Sequence, residues 1–361
     1  MSNKNLYMCF FYIIREGKKM EKYQILKDLV GFNTIKDKEN HQIINYLEGY
    51  LKERGFKTEY KDKSLIMSIG KNPKIGFLGH TDTVEYIDGW KTNPFELTKK
   101  DNKLYGLGVC DMKSGIAAIL DAINNIDLKN IEDGIKLYFT DDEEIGFGGV
   151  NTVVKLKKEF PKVMIFGEPT DNEVLIGSKG LLEYKIKFIG KKVHSSTPEK
   201  GISANLNAVR FLYELDEFYN KNIKVDEDEN FEIPYTTMNV GIINGGSAVN
   251  SIPASCDITL DFRITKNEHI EIIKDKINEL GKKYNCEISI FEEIKSFINE
   301  TNLVSQIKTA NFFTEASIID TKTKLILGTG PVTAHEINEY ITEESYDKLV
   351  NQYTDIIKKF I

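Results

Sequence analysis

Apolar positions recur at helical spacing in two stretches between residues 20 and 60. In the second, Glu39 to Arg54, Ile43, Ile44, Leu47 and Leu51 share one face, and Gly55 ends the run. Short strands are then predicted at Thr58–Tyr60, Leu65–Ile69 and Lys74–Leu78, the last a buried-type run, KIGFLG, that leads into HTDTV. Asp111 to Gly115 (DMKSG) opens an apolar helix, IAAILDAI. Ile135–Thr140 (IKLYFT) and Val163–Phe166 (VMIF) read as further buried strands, running into DDEEIGFGG and GEPT. Strands alternating with helices predict an α/β layer structure, whose polar strand ends are where such sheets place their sites.

The middle of the chain has a different order. Leu181–Lys191 reads as a strand, Ala204–Tyr219 as a helix, and Thr236–Asn244 and Ser255–Ile264 as two strands. Glu268–Tyr284 then reads as a helix and Cys286–Phe291 as a strand. The order β-α-β-β-α-β is that of a ferredoxin-like sandwich. The expected architecture is therefore an α/β catalytic domain, a mixed sheet flanked by helices, interrupted by an inserted ferredoxin-like α+β domain. Residues 1–178 form the first part of the catalytic domain, 179–294 the insert, and 295–361 the second part. The length of 361 residues agrees with about two domains.

Charge narrows the partners. Lys and Arg number 48 and Asp and Glu 55, a formal net charge of −7, and no basic stripe reverses this locally. Such a chain has no general pull toward nucleic acid or anionic lipid. The four cysteines, Cys9, Cys110, Cys256 and Cys286, are far apart and form no CxxC pair, so neither a disulfide framework nor a zinc ribbon is expected. A reducing cytoplasm fits.

Leu6–Ile14 (LYMCFFYII) is apolar but too short to span a bilayer, and it lacks the basic flank and small-residue cleavage site of a signal peptide. Met20 precedes a more regular helix, MEKYQILKDLVGF, and codons for Arg15-Glu16-Gly17 can spell a purine-rich ribosome-recruiting stretch. Translation is expected to start at Met20, which makes residues 1–19 an extension outside the native chain. The plain alternative is a genuine flexible extension.

Acid and histidine groups gather at the predicted strand ends. His80 and Asp82 follow KIGFLG, Glu143 and Glu144 follow IKLYFT, and Glu168 follows VMIFG. Asp111 starts a helix, and His335 follows LILG and a Gly-rich turn. Imidazole and carboxylate suit zinc, and also manganese or cobalt. Each residue alone has a bland reading. Asp111 could be an N-cap, Glu143-Glu144 a solvated acidic turn, and His335 a surface histidine. Their joint occurrence is much more specific.

HTDTV (80–84), GVCDMKSGIAA (108–118), TDDEEIGFGG (140–149), GEPT (167–170) and GTGPVTAHEINEYI (328–341) resemble, in order and spacing, the M20 family of two-metal peptidases and deacylases. The similarity is to the acetylornithine deacetylase and succinyl-diaminopimelate desuccinylase group, and it covers nearly the whole chain from Met20. The resemblance implies that His80 and Glu168 hold one metal, Glu144 and His335 the other, and Asp111 bridges both. It implies two zinc ions per chain, with cobalt or manganese as substitutes. Asp82 would orient the His80 ring, and Glu143 would be the general base. Two cations lower the pKa of a bridging water and polarise an amide carbonyl, which gives this residue set its chemical sense.

In the insert, His194 of GKKVHSSTP matches a family histidine that reaches a partner subunit's site and donates to the oxyanion. The run GGSAVNSIPASCDITLDFR (245–263) resembles the family's substrate-carboxylate strand pair. There Asn250 and Arg263 would bind the substrate's carboxylate, with Gly245-Gly246 letting backbone approach the ligand. Taken alone, Asn250 could be a turn residue and Arg263 a surface ion-pair residue. His41 and His269 read as solvated or capping, and Cys110 as a small residue filling a tight loop. The resemblance implies a homodimer through the insert.

The function expected is hydrolysis of the acyl group from a small N-acyl amino acid, of the acetylornithine or succinyl-diaminopimelate type. Thr314-Glu315-Ala316 resembles a stretch of acetylornithine deacetylase-like members, which favours this over a long peptide, and the insert is without the elaboration expected of members that handle larger dipeptides. The alternative within enzymes is a dipeptidase, aminopeptidase or carboxypeptidase of the same family. A non-catalytic binding relative would lack the base or a ligand, and Glu143 and all five ligand positions are present.

Overall fold

The computed structural model describes residues 21–361 apart from 36, 37, 130, 132, 158 and 305. The expected start at Met20, the extension before it and Cys9 lie outside the described residues. The described chain divides into two compact units, one reaching Leu175 and including Ile318–Ile361, the other Ile176–Ser317.

The first unit begins with helices α1 (Gln24–Val30) and α2 (Asn40–Lys52). Strands β1 (Lys57–Lys61), β2 (Leu65–Ile69), β3 (Asn72–His80), β4 (Thr98–Lys100) and β5 (Lys103–Tyr105) follow, then α3 (Lys113–Asn124). Next come β6 (Asp133–Thr140), α4 (Gly148–Lys155) and β7 (Val163–Phe166). After the second unit the chain resumes with β14 (Thr323–Ile326), β15 (Tyr340–Thr342) and α7 (Glu343–Lys358). The main sheet has the order β1-β2-β6-β3-β7-β14. Strands β6, β3, β7 and β14 run parallel, whereas β2 and β1 add antiparallel at one side. A strand inside a covered parallel sheet buries both faces, so β6 and β7 read as nearly continuous apolar runs. The edge strand β1 is the opposite case, alternating exposed and half-buried residues.

Helix α3 has no polar face over its first two turns, because every residue from Lys113 to Leu120 is buried. It packs against both α1 and α7. Its Lys113 ammonium donates to the Phe32 carbonyl oxygen at 2.8 Å. A separate small sheet, β15-β5-β4, pairs Tyr340 with Tyr105 and Thr342 with Lys103. This pairing ties the C-terminal segment to the chain just before α3.

The second unit contains β8 (Gly177–Ser178), β9 (Gly180–Ile189), α5 (Ala204–Asn222), β10 (Thr237–Gly245), β11 (Ser255–Ile264), α6 (Glu268–Tyr284), β12 (Cys286–Ile294) and β13 (Phe297–Ile298). Its antiparallel sheet has the order β10-β11-β9-β12, the arrangement of a ferredoxin-like sandwich. The two central strands alternate, β9 from Leu182 onward. Leu182, Tyr184, Ile186 and Phe188 of β9 point into a core shared with Phe211 and Leu215 of α5 and Ile273 and Ile277 of α6. Each such side chain contributes roughly 1.5–3 kcal/mol on burial. The unit continues past β13 to Ser317, because Ile176 N donates to Lys308 O and Ala310 N to Gly177 O.

His269 differs from its sequence reading. It is buried, with Nδ1 2.8 Å from Thr236 Oγ1 and Nε2 3.1 Å from Asp226 Oδ2. The first turn of α6 turns inward at this residue, so the imidazole serves the core. Cys110, Cys256 and Cys286 are free thiols. No helix among the described residues is long and apolar enough to cross a membrane.

Candidate metal centre

Sheet register brings the polar residues together. His80, the last residue of β3, pairs with Thr140, the last of β6, and Leu78 pairs with Phe166, the last of β7. The loops leaving these three neighbouring parallel strands therefore start side by side. They carry His80 itself, Glu143 and Glu144, and Glu168. Asp111 enters from the turn before α3, and His335 from the loop between β14 and β15. A site at the carboxyl ends of parallel strands follows from this topology.

The donor atoms fall into three overlapping groups, each within 4.8 Å: His80, Asp111 and Glu168; His80, Glu143 and Glu144; and Asp111, Glu144 and His335. Asp111 is the shared member of the first and last. Its Oδ1 lies 3.0 Å from His80 Nε2 and its Oδ2 3.5 Å from His335 Nε2. His335 Nε2 is also 3.2 Å from Glu144 Oε2. The other Glu144 oxygen, Oε1, is buried with no hydrogen-bond partner among the described residues.

His80 is oriented from behind. Its Nδ1 faces the Asp82 carbonyl oxygen at 3.2 Å and the Asp82 carboxylate Oδ1 at 3.5 Å. Both are acceptors, so Nδ1 carries a proton and Nε2 turns its lone pair into the cluster once the ring is neutral. Asp82 Oδ2 in turn accepts from the Glu144 backbone N–H at 3.1 Å.

The electrostatics show what the cluster requires. Burial works against the charged form of His80, yet the Asp111 and Asp82 carboxylates hold its pKa well above the ordinary value. Asp111 and Glu144 push His335 up to about 10. Burial would raise Asp111, and the two imidazoles hold it below the usual carboxylate range. Burial and the neighbouring Asp111 raise Glu144. The carboxylates thus call for positive charge between them. A divalent cation would satisfy that demand. Imidazole nitrogen with carboxylate oxygen is a fitting donor set for such an ion.

Two glycines let the elements close in. A Cβ on Gly115 of α3 would lie 2.5 Å from the Gly167 carbonyl oxygen, and one on Gly328 would lie 2.2 Å from the Glu168 carbonyl oxygen. Both contacts brace the loop that carries Glu168.

One residue of this neighbourhood had no role in the sequence reading. Glu339, 2% exposed, accepts three backbone N–H bonds: from Gly108 at 2.7 Å on Oε2, and from Cys110 at 2.6 Å and Asp111 at 3.0 Å on Oε1. Burial pushes its carboxyl up to about 8, and the three amides act in the opposite direction. Its sequence signals are its place near the end of GTGPVTAHEINEYI and an acid within an otherwise strand-like EYIT.

The remaining predicted residues lie in the second unit. His194 is exposed, with Nδ1 2.8 Å from Ser196 Oγ. It pairs in a single bridge with Ser251, and Ser195 N donates to Asn250 O at 3.0 Å, so the His194 and Asn250 segments run together. Arg263 forms a two-point pair with Asp261, Nε to Oδ1 at 3.0 Å and Nη2 to Oδ2 at 2.8 Å. A Cβ on Gly245 would meet Asn205 Oδ1 at 2.2 Å and Cys256 Sγ at 2.8 Å, so side chains of the same unit crowd this position.

The chain matches known proteins along most of its length. Residues 176–287 match the peptidase dimerisation domain. An acetylornithine deacetylase from Pasteurella multocida is 32% identical, covering 90% of this chain and 92% of its own. An M20 family metallo-carboxypeptidase from Sulfolobus solfataricus superposes with a TM-score of 0.78 at 19% identity, covering 95% of this chain and 99% of the other. A dinuclear metal-binding M20 peptidase from Bacillus subtilis does so with a TM-score of 0.67 at 12% identity, covering 93% and 97%. The clustered donors and the match to the deacetylase point the same way: the chain belongs to the M20 family of metal-dependent hydrolases that cleave amide bonds.

Proposed function

We propose that the protein removes the acyl group from a small N-acyl amino acid, of the acetylornithine or succinyl-diaminopimelate type. The observation that carries this reading is Asp111, whose two carboxylate oxygens face two different imidazoles. A carboxylate so oriented suits a bridging ligand. In this reading His80 and Glu168 hold one cation, Glu144 and His335 the other, and Asp111 both. Zinc is the cation proposed, with cobalt or manganese as substitutes. When bound, two such cations acidify a water and polarise the amide carbonyl.

The side chains do the rest. Glu143 accepts the water's proton as the water oxygen adds to the acyl carbon. The same carboxyl then returns the proton to the nitrogen as the C–N bond breaks, giving a free amine and a carboxylic acid. Asp82 keeps the His80 ring in one tautomer. His194, from a partner subunit, donates a hydrogen bond to the oxygen that gains charge. Asn250 and Arg263 bind the substrate's carboxylate. Asp261 occupies the Nε–Nη2 edge of Arg263, which leaves Nη1 and the remaining Nη2 hydrogen for a ligand.

The homodimer is proposed to form through the inserted unit, residues 179–294 in the sequence reading. Leu206, Val209 and Tyr213 form an exposed apolar stripe on α5, and Ile242 and Ile243 are exposed on the sheet-edge strand β10. An unpaired edge beside an apolar stripe suits pairing with a second copy. The free thiols suit a cytoplasmic setting.

Amine release from a panel tests the substrate. The panel holds N-acetylornithine, N-succinyl-diaminopimelate, N-acetyl-lysine and several dipeptides, each with added zinc or cobalt. Preferential turnover of one N-acyl amino acid is expected. Preference for dipeptides would move the chain to the peptidases of its family.

A further inference from the structure

Residues 335–339 address Asp111 from two directions. His335 meets its carboxylate, and Glu339, four residues on, holds its backbone. The pairing of β15 with β5 ends at Tyr340 and Tyr105. One further main-chain bond follows, from Gly106 N to Glu339 O at 3.3 Å. Beyond it the chain turns at Gly108, with φ +74°, and a ladder can no longer follow it. There the Glu339 side chain takes over, and one carboxylate receives the amides of Gly108, Cys110 and Asp111. The Glu339 end is itself fixed, because Thr333 Oγ1 donates to Tyr340 O at 2.7 Å and accepts from Tyr340 N at 3.0 Å. A loop whose amides converge on one buried side-chain carboxyl loses most of its freedom.

We propose that Glu339 is a positioning residue that holds the loop bearing Asp111 so that the Asp111 carboxylate faces both imidazoles before any metal arrives. The inference rests on the reading of Asp111 as a metal ligand. Glu339 bonds no atom of the Asp111 carboxylate. It acts through backbone, one step behind the partners that bond ligand side chains directly, whose loss costs about 10–100-fold in metal affinity. Glutamine at 339 keeps the shape but turns an NH2 donor toward amide donors, so at least one of the three bonds is lost.

The test is metal binding by the full-length chain after metal removal. Zinc affinity is measured by competition with a chelator, and the ligand field by the visible absorption of the cobalt-loaded protein. Glu339→Gln is expected to weaken zinc binding by about 10–100-fold and to shift the cobalt bands. Tyr346→Phe removes the partly buried bond from Tyr346 to Asp121 and serves as a control for lost stability alone. It is expected to bind metal normally even with an equal or larger drop in melting temperature. Unchanged affinity and bands in Glu339→Gln would overturn the inference, as would equal losses in the control. Asp111→Asn, run in parallel, separates the two claims. If it keeps full zinc affinity, the ligand reading fails. If it loses zinc while Glu339→Gln does not, only the positioning role fails. Hydrogen exchange of the metal-free wild type needs no variant. The Gly108, Cys110 and Asp111 amides are expected to be protected like the sheet core, and loop-like exchange would overturn the proposal.

Discussion

Glu143 and Glu144 are adjacent in sequence yet differ in surroundings. Glu144 is the member that pairs with His335, and its second oxygen is buried without a hydrogen-bond partner among the described residues. Glu143 shares a donor group with His80 and Glu144 but is absent from the group built on Asp111 and His335. The proposed division between ligand and base draws on this difference. Glu143→Ala is expected to leave metal content near the wild-type value while turnover falls by about 10²–10⁴-fold. Elemental analysis beside amine release checks this, and near-normal turnover would remove Glu143 from the base role. Gly115→Ala places a methyl 2.5 Å from the Gly167 carbonyl oxygen, next to Glu168. It is expected to cost about 1–3 kcal/mol in urea unfolding and to weaken metal binding, and a neutral result would show that the Glu168 loop yields. The acids and histidines of the cluster were legible because most lie at or just past a predicted strand end and their motifs resemble one family in order and spacing. Glu339 was not, because its partners lie 228 to 231 residues earlier and are backbone groups, which leave no mark on sequence spacing.

At the scale of elements, buried strands were legible where both faces are apolar, as in β6 and β7. The alternation of β9 fixed its inward face equally well. Helix starts were less legible. His269 sits where a capping or solvated residue is common, and only tertiary packing against Thr236 and Asp226 turns it inward. Lys179, just before β9, is another case that pattern alone conceals. It is fully buried, and its ammonium donates to the Tyr235 carbonyl oxygen at 2.9 Å. Burial pulls its pKa from 10.5 down to about 8. Between those values the unfolded chain holds a proton that the folded chain has released, so stability rises with pH there. Below about pH 8 both states carry the charge, and the fold bears its desolvation. Lys179→Met should therefore lack this rise. The wild type is expected to gain about 1–3 kcal/mol relative to the variant between pH 8 and 10.5, read by urea melts. Parallel pH profiles would contradict it.

On the scale of the whole molecule, the formal charge of −7 and the absence of a basic stripe agree with a small-molecule substrate rather than a polyanion. The order of α/β and ferredoxin-like segments was legible because each half keeps its own periodicity. The end of the second unit was harder to see, because β13 and residues 308–310 pair with β8 by backbone bonds that carry no apolar pattern. Val209→Glu combined with Tyr213→Glu, on the exposed stripe of α5, is expected to turn a dimer into a monomer in sedimentation. If His194 acts across the dimer, this monomer also loses turnover while keeping its metal; a monomer with full activity would contradict that role. The central claim is that the clustered donors form a two-metal centre for amide hydrolysis. It is tested most directly by adding zinc stepwise to metal-stripped protein and following amine release from its preferred N-acyl amino acid. The account predicts no turnover in the stripped chain and activity that saturates at about two equivalents. Full turnover without metal, or saturation at two equivalents that persists in Asp111→Asn, would contradict it.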